Sequence, residues 1–246
     1  MLRGVPHFNR VELFNKQDYG LTPVHLAVWE GLVFVNLARR PGSLDTVLNG
    51  IRARIAPTEL GRLRFARRVD YDVHANWKVY VDNYLEGYHV PYVHPDLFTL
   101  YDYESYVTEV HDGYSIQVGP LTADRNVYTA GGGEALYYHV FPNLMLNVVP
   151  GRLQSNVVVP VAPDRCKVVF RYYYDDVESP AARERIEADL AFSDKVQQED
   201  AEICERVQRG LSSRAYDRGR FSVRFEAGVY HFQKLLKHAY RARLKR

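Results

Sequence analysis

Residues 101–174 hold six strand-length runs in succession, at 103–110, 114–118, 136–140, 145–149, 153–160 and 167–174, rich in Tyr, Val, Ile and Leu. Turn-forming clusters separate most of them: His111-Asp112-Gly113, Pro142-Asn143, Pro150-Gly151 and Pro163-Asp164. Connections this short cannot carry a crossover helix, so consecutive strands must pair antiparallel. The exception is 124–134, with Gly131-Gly132-Gly133, which reads as an irregular loop near a site mouth.

A long helix is predicted directly after the sheet, at 180–211, with Ser179 as N-cap and Pro180 in the first position, where its missing N–H costs nothing. Gly210 marks its expected end. Ahead of the sheet, 24–37 reads as a hairpin turning at Glu30-Gly31 and 43–63 as helical, with Pro57 opening a turn. Residues 64–74 alternate as a strand leading into a helix that starts at Asn76. The expected fold class is α+β.

Charge and composition exclude several classes. A net charge of +2 gives no global case for nucleic acid, and the basic end 238–246 reads as a solvated helix terminus. No apolar run approaches the ~18 residues of a membrane span, and MLRGVPHFNR has no signal-peptide core. Cys166 and Cys204 make no disulfide framework and show no zinc or iron–sulfur spacing, which suits a cytoplasmic setting.

Chemistry concentrates at 76–94, NWKVYVDNYLEGYHVPYVH, which sets Glu86, His89 and His94 in an E-x-x-H-x4-H array. Residues five apart diverge on a continuous helix, so both imidazoles can reach one metal only if the helix breaks between them. Pro91 is the expected breaker, with the helix ending near His89. Two His and one carboxylate suit non-heme ferrous iron, and they also suit zinc. Glu86 could be the carboxylate ligand or an outer group accepting an imidazole N–H. Asp200 is a second candidate. It falls within the stripe Val196, Ile203, Val207, Leu211, where a carboxylate needs a metal partner unless it sits at a solvated margin; Glu199 lies toward the edge and Glu202 faces away. Trp77 and the many tyrosines could box an ammonium group, but their spacing favours core packing. His111, His139, His231 and His238 have no partner spacing and read as structural or exposed.

NWK at 76–78, DNYLEGYH at 82–89, VHP at 93–95, the QQED…C-E-x-V-Q run at 197–208, and the later RAYDRGRFS and EAGVYHF segments together resemble the catalytic domain of Rieske non-heme iron oxygenase α subunits, the large subunits of aromatic-ring-hydroxylating dioxygenases. The branch acting on choline, carnitine and glycine betaine is the most similar. The resemblance implies a helix-grip fold (Bet v 1-like, START-like), an antiparallel sheet wrapped around a long C-terminal helix. It also implies mononuclear Fe(II) on His89, His94 and Asp200, and Glu86 as the carboxylate linking that iron to a neighbouring subunit's Rieske cluster.

The chain departs from the family in one respect. A Rieske cluster needs C-x-H and C-x-x-H pairs, and neither Cys166-Lys167-Val168 nor Cys204-Glu205-Arg206-Val207 supplies one, so the [2Fe–2S] cluster of the full-length family finds no ligands here. Residues 1–42 resemble the tail of a Rieske domain and 43–246 the catalytic domain, as in a truncated or split α subunit.

The expected activity is O2-dependent hydroxylation or oxidative demethylation of a small aromatic or quaternary ammonium substrate. Electrons would come from a reductase or ferredoxin through an external Rieske centre. A homo-oligomer, a trimer by resemblance, is expected, with no nucleic-acid or membrane partner. The competing expectations are a helix-grip ligand-binding protein without redox chemistry and an inactive remnant.

Overall fold

The computed structural model describes residues 2–122 and 133–244. The expected loop at 124–134 lies outside the described residues except for Gly133 and Glu134, which open a strand. Two compact units divide after Leu48. The first is mostly irregular around a two-stranded hairpin, β1 (His25–Trp29) and β2 (Leu32–Asn36), whose register closes on Glu30 and Gly31. Both turn residues have positive φ, 47° and 82°, the pairing that a two-residue hairpin turn following strand twist requires.

The second unit, residues 49–246, is built on a seven-stranded antiparallel sheet in the order β3-β9-β8-β7-β6-β5-β4. Its strands are β3 (Arg64–Val73), β4 (Val107–His111), β5 (Tyr114–Leu121), β6 (Gly133–Val140), β7 (Leu144–Val149), β8 (Arg152–Ala162) and β9 (Arg165–Tyr174). Helix α1 (Asp45–Ile55) crosses the division between units; α2 (Trp77–Tyr84) and the short α3 (Val90–Val93) and α4 (Pro95–Phe98) follow β3. After the sheet come α5 (Pro180–Leu211) and α6 (Ala227–Leu244). The α+β architecture therefore matches the expectation from the strand and helix patterns.

One core holds Val73, Tyr80, Val81 and Leu85 together with Val168, Phe170 and Tyr172 of β9, Ile186, Leu190 and Cys204 of α5, and Phe232 and Leu236 of α6. Trp77 meets Phe232 edge to face at 5.8 Å, the core role its spacing favours. His139 is buried, its Nε2 3.1 Å from the Pro142 carbonyl, and burial pushes it down to about 4. Among the described residues no helix is long and apolar enough to cross a membrane.

Three local expectations need correction. First, α2 ends at Tyr84 rather than near His89, because the Leu85 N–H closes back on Val81 and Asp82 and two glycine contacts then hold the chain. A Cβ on Gly87 would lie 2.9 Å from the Tyr106 ring, and one on Gly228 would lie 2.6 Å from the Leu85 carbonyl oxygen. Second, Pro91 breaks nothing. It occupies the first turn of α3, where no N–H is needed, and the redirection falls on 85–89 before it and on His94 (φ −120°, ψ 69°) after it.

Third, the inward face of α5 is not the apolar stripe. Val207 and Leu211 are 45% and 41% exposed, whereas Ile186, Asp189, Leu190, Ser193, Gln197 and Cys204 are buried. Asp200 shares that face, three residues after Gln197 and four before Cys204. The face is polar at its middle because it looks into a cavity rather than into the core.

Asp82 ties α2 to α6: both its carboxylate oxygens accept from Gln233 Nε2, at 3.1 and 3.0 Å. Burial pushes Asp82 up to about 7, Gln233 opposing. Between the ordinary carboxylate range and pH 7 the folded state thus binds more protons than the unfolded one, so this group's stabilisation is complete at low pH and is lost as pH rises through about 7. Thermal unfolding of Asp82→Asn is expected to lose this part of the decline in Tm between pH 5 and pH 8. A slope identical to that of the parent would count against it.

Candidate metal centre

Three ligand atoms, one each from His89, His94 and Asp200, lie within 4.8 Å of one another. The redirection after α2 aims His89, α3 delivers His94 one turn later, and α5 brings Asp200 from the far side of the sheet sequence. Asp200 Oδ1 is 3.0 Å from His94 Nε2 and 3.5 Å from His89 Nε2, and the ring centroids are 5.0 Å apart. His94 is 1% exposed; the His89 and Asp200 side chains are 16% and 18% exposed.

The outer nitrogens of both imidazoles are engaged by carboxylates. Glu86 Oε1 sits 2.7 Å from His89 Nδ1, and its other oxygen accepts the His89 backbone N–H at 3.0 Å. Glu199 Oε2 sits 2.7 Å from His94 Nδ1. With the proton on each Nδ1, both Nε2 lone pairs point at the carboxylate of Asp200, the arrangement that fixes tautomer and ring orientation around a metal. Asn83 Nδ2 donates to Asp200 Oδ1 at 2.6 Å and orients the third group.

Electrostatics point the same way. Burial opposes a charged His89, but hydrogen bonds to Asp200 and Glu86 outweigh it and raise the group to about 10. Burial likewise opposes an ionised Asp200, and the two imidazoles overcome it, holding the carboxyl below its usual range. An ionised, largely buried carboxylate needs a positive partner at the shared point: protonated imidazoles supply it when no metal is bound, and a divalent metal would displace those protons and take their place. The donor set, two imidazole nitrogens and one carboxylate oxygen with no thiolate, fits a ferrous centre with open positions.

The three groups border a cavity of about 110 Å³ walled by Tyr84, Tyr101, Tyr106, Tyr137 and Phe170. Tyr84 donates to Asn147 Oδ1 at 2.6 Å, and its own carbonyl accepts from Gln117 Nε2 at 2.6 Å, so Tyr84 is held at both its hydroxyl and its backbone. Glu86 and Asn83 both line this cavity and also a second groove that contains Asp82, Arg220 and Phe221, and Glu86 is the carboxylate shared by the two.

All four residues singled out in the sequence therefore meet at one place, while Glu202 stays exposed in a pair with Arg206. Sequence reasoning missed the contact of Glu199 with His94. The signal was available only in its adjacency to Asp200, since a helix residue flanking an inward ligand can reach a second ring. Glu199→Ala is expected to weaken ferrous binding roughly 10–100-fold with the fold intact, read by anaerobic iron titration; an unchanged affinity would remove Glu199 from the site.

Comparison with known proteins gives a consistent picture. The profile of the ring hydroxylating alpha subunit (catalytic domain) matches residues 60–242. The chloroplastic choline monooxygenase of Arabidopsis thaliana is 37% identical over 93% of this chain and 57% of its own length. The carnitine monooxygenase oxygenase subunit of Escherichia coli (strain K12) is 30% identical over 93% of this chain and 64% of its own length. The chain thus spans between about half and two thirds of these relatives. A solved quaternary ammonium Rieske monooxygenase, described for carnitine oxidation and inter-subunit electron transfer, superposes with a TM-score of 0.80 at 25% identity, covering 94% of this chain and 66% of that one.

Proposed function

The chain belongs to the family of ring-hydroxylating α-subunit catalytic domains, and from that premise we propose that it is the oxygenase part of a system that hydroxylates or oxidatively demethylates a small quaternary ammonium compound. The observation that carries this reading is the convergence of His89, His94 and Asp200 on the edge of a tyrosine-walled cavity. Ferrous iron bound there would supply open coordination positions for O2 and electrons for its activation.

The chain's own residues do the rest. Glu86 and Glu199 keep the Nδ1 protons in place, Asn83 holds Asp200 in orientation, and the aromatic wall excludes water and offers ring faces to an ammonium head. Glu86, bordering both the cavity and the neighbouring groove, would be the link between the iron and a Rieske centre external to this chain. In this reading the sheet grips α5 in the helix-grip manner, 1–42 is the end of a Rieske domain and 43–246 the catalytic domain. The assembly is a trimer supplied by a reductase or ferredoxin. Cys166 and Cys204, free and buried, suit the reducing cytoplasm.

Anaerobic titration with ferrous iron, followed by oxygen uptake with a separate reductase, a Rieske donor and a quaternary ammonium substrate, tests the proposal. Stoichiometric iron and substrate-dependent uptake are expected; iron binding with no uptake defeats it.

A further inference from the structure

The strand β8 places a polar row on the face that borders the cavity. Arg152, Gln154 and Asn156 alternate with Leu153 and Ser155, so the period of two turns all three toward the same space. They form a chain of hydrogen bonds: Arg152 Nη2 donates to Gln154 Oε1 at 2.6 Å, and Gln154 Nε2 donates to Asn156 Oδ1 at 2.9 Å. Ser193 of α5 joins at Gln154 Oε1, 3.4 Å away, and meets the Tyr172 hydroxyl at 2.9 Å.

Arg152 is the one Lys or Arg side chain among the described residues that lines this cavity, and its charge is already matched. Its Nε lies 2.6 Å from Asp189 Oδ2, with both side chains almost wholly buried, and its guanidinium sits over the Tyr172 ring at 5.6 Å. Tyr174 donates to the same Asp189 oxygen at 2.5 Å and fixes it in place. At the other side of the cavity the two charges of a divalent metal would meet Asp200 directly, with the carboxylates of Glu86 and Glu199 behind the two imidazoles supplying the balance. The cavity therefore holds no uncompensated positive charge.

We infer that Asp189, by neutralising Arg152, makes the cavity select a quaternary ammonium monocation with an uncharged hydrogen-bonding tail over a zwitterion that carries a carboxylate. This rests on the quaternary ammonium reading above and narrows it. A hydroxyl can exchange hydrogen bonds with Gln154, Asn156 or Ser193, whereas a carboxylate must shed water without gaining a free cation. Asp189 acts through Arg152 and is a positioning residue rather than a catalytic one.

The test is calorimetric binding to the full chain loaded anaerobically with ferrous iron, using choline, glycine betaine and tetramethylammonium as probes. Choline is expected to bind at least about tenfold more tightly than glycine betaine. Asp189→Asn keeps the size of the side chain and unmasks the guanidinium, so it should move the ratio toward glycine betaine by about tenfold, a change that a merely structural role would not produce. Because that variant buries an unpaired Arg, the double variant Arg152→Gln/Asp189→Asn, which buries no charge, is the second arm and should keep the preference for choline. Glycine betaine binding at least as tightly as choline, with loss of that affinity in the double variant, would show that Arg152 holds a carboxylate directly and overturn the inference while leaving the ammonium reading intact. Failure of all three probes to bind would overturn the ammonium reading itself.

Discussion

Asp200→Ala is expected to fold and to lose ferrous iron by more than the ~10–100-fold that removal of an outer hydrogen-bond partner costs, and with it all substrate-dependent oxygen uptake. Asp200 is the only carboxylate of the convergent trio, and its Oδ1 is the atom both imidazoles face, at 3.0 and 3.5 Å. The fold should tolerate the change because it removes an ionised group from a buried face, although Asn83 loses its acceptor. Circular dichroism for the helix content and anaerobic iron titration read the two effects separately. Retention of tight, stoichiometric iron would show that the metal, if it binds, is held elsewhere.

Glu86→Gln is expected to separate binding from turnover. The amide oxygen can still accept the His89 Nδ1 proton while the NH2 loses the backbone N–H contact, so iron should bind within the same ~10–100-fold window, and saturating iron should fill the site. Turnover with an external Rieske donor should remain depressed on the order of 100-fold, because the carboxylate that joins the cavity to the adjacent groove has lost its charge. Glu199→Ala makes the contrast. Its hydrogen bond is to His94 and it is not among the residues lining either space, so saturating iron should restore its turnover. If Glu86→Gln recovers equally, Glu86 only orients a ring.

The sheet and α5 were legible because local signals there are strong and agree. Turn clusters punctuate β4–β9, and Ser179 caps α5 by accepting the Ala182 N–H at 3.1 Å. His89, His94 and Asp200 were legible as a set through the family motifs; stripe position alone left the role of Asp200 open. What misled was the assumption that inward means apolar. Ser193, Gln197 and Asp189 on α5, and Arg152, Gln154 and Asn156 on β8, belong to no apolar stripe and are all buried. A polar cavity inverts the usual sign of periodicity, and no pattern within one element shows what the opposite wall contributes. The early end of α2 was hidden for a related reason. It depends on Tyr106 and Gly228 arriving from distant parts of the chain to crowd Gly87 and Leu85.

The contact between His94 and Asp200 spans 106 residues of sequence, with all of β4–β9 in between. Loop closure across such a distance is entropically costly until the intervening strands have paired, so the ligand set is a late product of folding rather than its nucleus. A nascent chain would emerge with its two histidines long before the carboxylate that completes them. Iron enters a finished protein, and loss of the metal should not undo the sheet that assembled without it.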